Sequence, residues 1–172
     1  APYAHVTAAL GDAPLHVVSV PDLGVEGYEL FMPADRYQQV WDAAVGGTAR
    51  ATPAGLAAWE VARVEAGRPE FGIDMDDPTT PQEANLERLD AISYTKGCYT
   101  GQEVVARVHF RGHVNRELRG LRAAGTEPVP TKAQLFDAEA KSVGEVRSSV
   151  SSPRLGAIAL GMVRREVEIG AK

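Results

Sequence analysis

The sequence predicts an α+β fold: an antiparallel sheet with helices over residues 1–115, followed by a small antiparallel β-barrel over 116–172. Three observations predict this order. Two β-branched runs separated by Pro and Gly lie near the start, and two helical patterns follow them. After Arg116 the pattern changes to short strands separated by Gly, Pro and Ser, which is typical of a small barrel. We therefore place a domain boundary near residue 115.

The first elements follow from periodicity and turn residues. Residues 15–20, LHVVSV, predict a strand, residues 28–32 predict a second, and the two together predict a hairpin. A helix then ends at Gly46, because apolar residues recur on one helical face. They are Tyr37, Val40, Trp41, Ala44 and Val45. Thr52-Pro53 predicts the start of a second helix, as an N-cap residue followed by Pro, and Gly67 predicts its end.

Composition narrows the classes of protein. Apolar content of 44% and charged content of 24% are those of an ordinary soluble globular protein. The net charge of −5 gives no general reason to expect nucleic-acid or membrane binding, and no apolar run approaches the ~20 residues of a membrane span. A single cysteine cannot form an internal disulfide, so we expect a cytoplasmic protein. Because the chain begins with Ala1 rather than Met and stops in a strand-like pattern, we expect a fragment of a longer protein.

Two neighbouring stretches have opposite charge. Residues 68–95, hereafter the acidic segment, contain seven acidic and two basic residues, and three prolines exclude a long helix. Residues 96–122, the basic run, contain six basic and two acidic residues. The basic residues are Lys96, Arg107, Arg111, Arg116, Arg119 and Arg122. This run could contact the anionic tail of a ligand, pair with the acidic segment, or contact RNA, and we rank these possibilities in that order.

The cysteine segment, KGCYTGQE at residues 96–103, joins the two stretches. Thr100 and Glu103 have the spacing of a capping box, with Tyr99 and Val104 at the positions of a hydrophobic staple. Cys98 should then lie just before a helix N-terminus, which carries partial positive charge, and Lys96 adds a cation. These conditions favour the thiolate and also suit an anionic ligand. The alternative is a small buried residue with no chemistry, and the pattern leaves both open.

A metal site receives weaker support. His109 and His113 are four residues apart, the spacing of two ligands on one helix face. Gly112 lies between them and no third ligand is evident, so we interpret them as isolated loop histidines.

Residues 96–118, KGCYTGQEVVARVHFRGHVNREL, resemble the signature of the YgfZ family, folate-binding proteins related to the glycine-cleavage T-protein, an aminomethyltransferase. Cys98 is the specific part, since T-proteins carry a related Phe-Ile-Gly-Arg-Glu segment without that cysteine. Three further stretches resemble the wider superfamily. They are Gly27-Tyr28-Glu29, residues 63–67 with Asp74 and Pro81 after them, and residues 144–163.

The resemblance implies a T-protein-like folate-binding domain, with tetrahydrofolate as the cofactor. It implies a role in maintaining iron–sulfur enzymes, including tRNA-modifying ones. Cys98 and Lys96 are then the candidate catalytic residues. The candidate folate contacts are Tyr28, Glu29, Arg63, Tyr99, Gly101, Gln102 and Glu103. Two alternatives remain: a tetrahydrofolate-dependent aminomethyltransferase, and a ligand-free scaffold that docks a partner protein or RNA.

Overall fold

The computed structural model describes residues 1–48 and 50–171. By packing, the chain divides into two compact units, Ala1–Ala62 and Arg63–Lys172, each described by itself. The strands are β1 (His5–Leu10), β2 (Ala13–Ser19), β3 (Tyr28–Phe31), β4 (Arg116–Arg122), β5 (Gln134–Phe136), β6 (Ser142–Ser152) and β7 (Gly156–Arg164). The helices are α1 (Tyr37–Gly46), preceded by a 3-10 turn at Ala34–Arg36, then α2 (Leu56–Ala66) and α3 (Gln102–Arg111).

The first unit is a three-stranded antiparallel sheet in the order β1-β2-β3, which confirms the predicted hairpin. Val40 of α1 packs on Ala13 and Leu15, so one face of the sheet carries the core of this unit. Strand β1 was not predicted, since HVTAAL lacks a strong β pattern, yet all six of its residues pair with β2. Because side chains alternate along a strand, every second residue of β2 and β3 points away from α1.

Helix α1 ends at Gly46 as predicted, but the predicted start of the next helix is wrong. Helix α2 begins at Leu56 rather than at Thr52-Pro53, and the backbone N–H groups of Ala58 and Trp59 both donate to the carbonyl of Gly55. A start at Thr52 would place Gly55 inside the helix, at a cost of about 1 kcal/mol relative to Ala. The helix stops before Gly67, whose φ of 71° is left-handed, as the sequence predicts.

The second unit holds a four-stranded antiparallel sheet in the order β4-β7-β6-β5. Val64 of α2 packs with Leu118, Ile158, Leu160 and Met162 on one face. The strands predicted after Arg116 are therefore confirmed. The predicted barrel is not, because the described strands form an open sheet with β4 and β5 at its edges. The α3 helix and the acidic segment belong by packing to this same unit, and the boundary near residue 115 stays a prediction.

The acidic segment forms consecutive turns, in agreement with its irregular pattern. Thr80 and Glu83 bond each other reciprocally there, since the Thr80 N–H donates to Glu83 Oε2 at 2.9 Å and the Glu83 N–H donates to Thr80 Oγ1 at 3.3 Å. Within residues 1–48 and 50–171, no helix combines the length and apolar character needed to cross a membrane.

Candidate functional site

Cys98 lies on an exposed loop just before α3 and forms no disulfide. Its exposure excludes the interpretation as a small buried core residue. Lys96 Nζ lies 4.9 Å from the centroid of the Tyr99 ring, a cation–π contact that draws the lysine over the neighbour of the cysteine. The Tyr99 hydroxyl is buried and has no hydrogen-bond partner in the part of the chain that the structure describes. The loop therefore presents a thiol and a cation, beside a buried hydroxyl that no group of the described chain satisfies.

The predicted capping box is wrong in its details. Helix α3 starts at Gln102, and its N-cap is Gly101 with a φ of 83° rather than Thr100. No side chain caps this helix end; the N–H groups of Val104 and Val105 donate to the Gly101 carbonyl. A left-handed backbone is strained for residues other than glycine, so Gly101 sets where the helix can begin. Glu103 is instead paired with Arg107 at 2.9 Å.

The predicted hydrophobic staple is also absent. Val104 is 55% exposed, which rules out a packed pair with Tyr99. Val105 is the buried valine of the helix. The shift follows from the later helix start, because with Gly101 as the N-cap the fourth helical residue is Val105.

The acidic segment holds α3 through Gln82 and Tyr94. Gln82 is buried, and its Nε2 donates to the Val105 carbonyl at 2.8 Å and to Tyr94 Oη at 3.3 Å. The Tyr94 ring stacks on His109 of α3, with ring centroids 3.8 Å apart. These contacts position the helix that follows Cys98. No short-range pattern predicts them, because the partners are 12 to 23 residues apart.

A carboxylate completes this contact. Tyr94 Oη donates to Glu87, and His109 Nδ1 lies 3.0 Å from Glu87 Oε1. The hydrogen bond from Tyr94, together with His109, lowers the pKa of Glu87 below its ordinary value. Burial and the bond to Glu87 raise the pKa of Tyr94. His109 is therefore a helix residue in a specific contact, and the interpretation of it as an isolated loop histidine is wrong.

No metal site accompanies these groups. Among the residues that the structure describes, no three or more His, Cys, Asp or Glu side chains are grouped so that they could hold a metal ion.

Glu29 lies in β3, opposite Val18 of β2. Ala13 and Leu15 point to the core with α1, so Val18 and Glu29 point to the other face of the sheet. Glu29 is exposed, and its carboxylate has no partner in the described part of the chain. The neighbouring Tyr28 donates its hydroxyl to Glu26, and this bond raises the pKa of Tyr28.

Arg63 is only 2% exposed. Its guanidinium donates to Asp74 at 2.7 Å and to Ser148 Oγ at 2.9 Å, and its Nε lies 3.0 Å from Glu70. Ser148 in turn donates to Asp74 at 2.6 Å. This buried network joins α2, the acidic segment and β6. Its enclosure and its partners give Arg63 a structural role in this unit. The folate contact that the family resemblance implies for Arg63 stays a prediction.

The arginines of the basic run fall into two groups, those with an ion pair within the chain and those without one. Three of its arginines pair with glutamates of the same chain, and only one of those glutamates belongs to the acidic segment. The pairs are Arg107 with Glu103, Arg116 with Glu83 and Arg119 with Glu117. Arg111 and Arg122 are exposed and form no ion pair within the described residues, so they stay available to an anion.

Comparison with known proteins places these features in context. The family described as "GCVT N-terminal domain" matches residues 2–94. An aminomethyltransferase of Thermosynechococcus vestitus is 36% identical over 162 residues, which cover 94% of this chain and 43% of that protein. A tRNA-modifying protein YgfZ of Serratia proteamaculans is 46% identical over 71 residues, 41% of this chain and 22% of that protein.

A solved structure resembles the fold as well. The crystal structure of glycine cleavage system aminomethyltransferase T from Bartonella henselae gives a TM-score of 0.71 at 25% identity, covering 87% of this chain and 42% of that one. The chain thus spans about two fifths of the length of the aminomethyltransferases it matches.

Proposed function

Because the chain belongs to the GCVT N-terminal domain family, we propose that it is part of a tetrahydrofolate-binding protein. Family membership is the observation that carries the proposal. When bound, tetrahydrofolate supplies a carrier for one-carbon units. The proposal covers ligand binding by this chain's residues, and the activity of the whole protein is a second, separate step.

Each unit, taken by itself, carries groups that suit one chemical end of a folate. A pterin ring offers adjacent N–H groups, and the exposed, unpaired carboxylate of Glu29 can accept them. The glutamate tail is anionic, and Lys96, Arg111 and Arg122 are exposed cations of the second unit. Glu29 belongs to the first unit. Tyr99 offers a further polar group, because its buried hydroxyl has no partner within the described chain.

Three of the candidate folate contacts already have partners within the chain. Arg63 is enclosed in its buried network, Glu103 is paired with Arg107, and the Tyr28 hydroxyl is engaged by Glu26. Their direct contact with a folate would require these bonds to be exchanged. We therefore retain Glu29, Tyr99, Gly101 and Gln102 as candidates for direct contact with the folate. Arg63 instead holds the acidic segment through Asp74 and Glu70.

We further propose a YgfZ-like role, in support of iron–sulfur enzymes and tRNA modification in the cytoplasm, rather than aminomethyl transfer. The exposed Cys98 within KGCYTGQE supports this choice, as does the 46% identity to a YgfZ protein. In this proposal Cys98 is the reacting thiol and Lys96 its neighbouring cation. The aminomethyltransferase alternative has an observation of its own, since such a protein matches 94% of this chain.

Assaying methylene-tetrahydrofolate formation by the full-length protein from an aminomethylated carrier protein, beside tetrahydrofolate binding, decides between the two roles. The YgfZ-like role predicts binding without turnover, and Cys98→Ser should leave binding unchanged. Turnover would assign the aminomethyltransferase role instead. A protein that binds no folate would support the scaffold alternative.

The proposed contact between the basic run and the glutamate tail of the folate has its own test. Polyglutamylated tetrahydrofolate should bind more tightly than the monoglutamate, and the gain should shrink with salt, because exposed charges are screened over about 8–10 Å at physiological ionic strength. Equal affinities for the polyglutamate and the monoglutamate at low salt would show that the basic run does not contact the folate tail. If the protein binds RNA, and this affinity falls much more steeply with salt than the folate affinity does, the basic run contacts phosphates.

A further inference from the structure

Two buried polar atoms of the second unit lack a hydrogen-bond partner within the described chain, and both lie near Tyr94. They are Gln82 Oε1 and the hydroxyl of Tyr99. Gln82 Nε2 contacts Tyr94 Oη at 3.3 Å. Burial and the Glu87 carboxylate are the main causes of the raised pKa of Tyr94, and Tyr99 adds a smaller electrostatic contribution, so the two tyrosines are close. An amide oxygen accepts a hydrogen bond and a hydroxyl can donate one, so the two atoms are complementary.

The Gln82 amide cannot satisfy its oxygen by turning over. Its Nε2 donates to the Val105 carbonyl at 2.8 Å, and a carbonyl can only accept, so the nitrogen must face α3. The Tyr94 hydroxyl is not the missing donor either, because it donates to Glu87. Tyr99 lies two residues before the start of the helix that Gln82 contacts, and its hydroxyl is a donor without an acceptor.

Neither atom can be satisfied from outside. Described residues enclose both atoms and close them to water, so neither solvent nor a further segment of a longer chain can reach them where they lie. A buried polar group without a partner bears the full cost of its desolvation. A small movement that joins the hydroxyl of Tyr99 to Gln82 Oε1 therefore lowers the free energy of both groups.

Tyr99 is the side chain that can move. Gln82 is only 9% exposed and is held by two bonds of its Nε2. Cys98 and Thr100, on either side of Tyr99, are exposed, and no side chain caps α3. The contact of Lys96 with the Tyr99 ring does not prevent a shift, because the exposed lysine can follow the ring.

We propose that the cysteine segment has a second, latched position, in which the Tyr99 hydroxyl donates to Gln82 Oε1. A chain of hydrogen bonds then runs from Tyr99 through Gln82 and Tyr94 to Glu87. Gln82 is in this way a positioning residue for Cys98, because it fixes the neighbouring residue without touching the thiol. The value of the latch for chemistry rests on the proposed role of Cys98 as the reacting thiol. The latched hydroxyl keeps a lone pair that can accept from a folate.

The test measures backbone hydrogen exchange in the full-length protein, without folate and without any reaction of the thiol. The reporters are the N–H groups of Gln102, Val104 and Val105, which donate to the carbonyls of Tyr99 and Gly101. Tyr99→Phe removes the hydroxyl and keeps the ring. With the latch, the exchange of these groups should become about fivefold faster in the variant, the effect of losing one hydrogen bond. Exchange in β7 should stay the same.

The opposite result has an equally clear meaning. If the Tyr99 hydroxyl stays without a partner, Tyr99→Phe removes a desolvated group, and exchange at the start of α3 should be unchanged or slower. Either outcome would overturn the proposal. The matched control is Tyr37→Phe, at an exposed tyrosine of α1, which should leave these exchange rates unchanged.

Gln82→Met identifies the acceptor, because methionine has a similar length and no amide. Alone it should speed exchange at the start of α3, since it also releases the Val105 carbonyl. Adding Tyr99→Phe to Gln82→Met should then have no further effect. A further increase of about fivefold would show that the Tyr99 hydroxyl has another acceptor, and would contradict the latch. If Gln82→Met does not fold, Tyr99→Phe decides alone. A failed folate titration leaves all these measurements valid, because none of them uses a ligand.

Discussion

Cys98 is the residue on which the proposed chemistry rests, and its exposure makes the first prediction. Because the thiol lies on an open loop, iodoacetamide should label the native protein at a rate of the same order as the urea-unfolded chain. The measurement is the rate of mass increase in native buffer and in urea, with Cys98→Ser as the unreactive control.

A native rate more than about tenfold below the unfolded rate would show a shielded thiol and contradict the assignment. At this scale the sequence left Cys98 open between a small buried residue and an available thiolate, and its exposure in the structure decides against burial. The enclosure of Arg63 was not predictable, because its partners Asp74 and Ser148 are 11 and 85 residues away, beyond any local pattern.

At the scale of elements, the network of Arg63, Asp74 and Ser148 should dominate the stability of the second unit. Removing one partner of a buried ion pair leaves an uncompensated charge, at a cost of about 3–5 kcal/mol. Asp74→Asn should therefore lower the free energy of unfolding by roughly 3 kcal/mol, since Glu70 still faces the Arg63 side chain. The urea midpoint measures this.

The matched control is Asp77→Asn, an exposed aspartate three residues along with no ion pair in the described chain. It should change stability by less than about 0.5 kcal/mol. If both variants behave alike, the buried network contributes nothing specific, and the position of the acidic segment needs another explanation.

The contact of Glu87 with Tyr94 and His109 should make the attachment of α3 dependent on pH. The folded-state pKa of Glu87 is lowered, so its contribution to stability is present above the ordinary Glu value of about 4.3 and is lost as the pH falls through the lowered value. The stability difference between the wild type and Glu87→Gln should thus be present at pH 6 and vanish in acid.

Urea unfolding at pH 6 and below pH 4 measures that difference, with Glu127→Gln on an exposed loop as the control. A difference that stays constant with pH would show that the Glu87 carboxylate is not what holds the contact.

The elements also show what local pattern can and cannot specify. The strands of the second sheet were predictable, because alternation and turn residues are local. The start of α3 was not, because Thr100 and Glu103 have capping-box spacing while the left-handed Gly101 places the helix start later. Strand β1 was missed since its pairing with β2, rather than its own composition, makes it a strand.

At the scale of the whole molecule, the two antiparallel sheets agree with the family that the chain belongs to. The predicted closed barrel is not seen in the described strands, and the ligand contacts stay predictions. A sheet closes into a barrel only when its two edge strands pair with each other. The periodicity within a single strand does not indicate whether that pairing occurs. Glu29 and Cys98 lie in different units, so the central claim needs a measurement of the ligand itself.

That measurement is calorimetric titration of tetrahydrofolate into the wild type, Glu29→Gln and the exposed control Glu139→Gln. The account predicts saturable binding by the wild type and the control. It predicts affinity roughly 10- to 150-fold lower for Glu29→Gln, equivalent to the roughly 1.5–3 kcal/mol of a charged hydrogen bond. No binding by the wild type would contradict the folate-binding proposal, and undiminished binding by Glu29→Gln would contradict the assignment of Glu29 to the pterin.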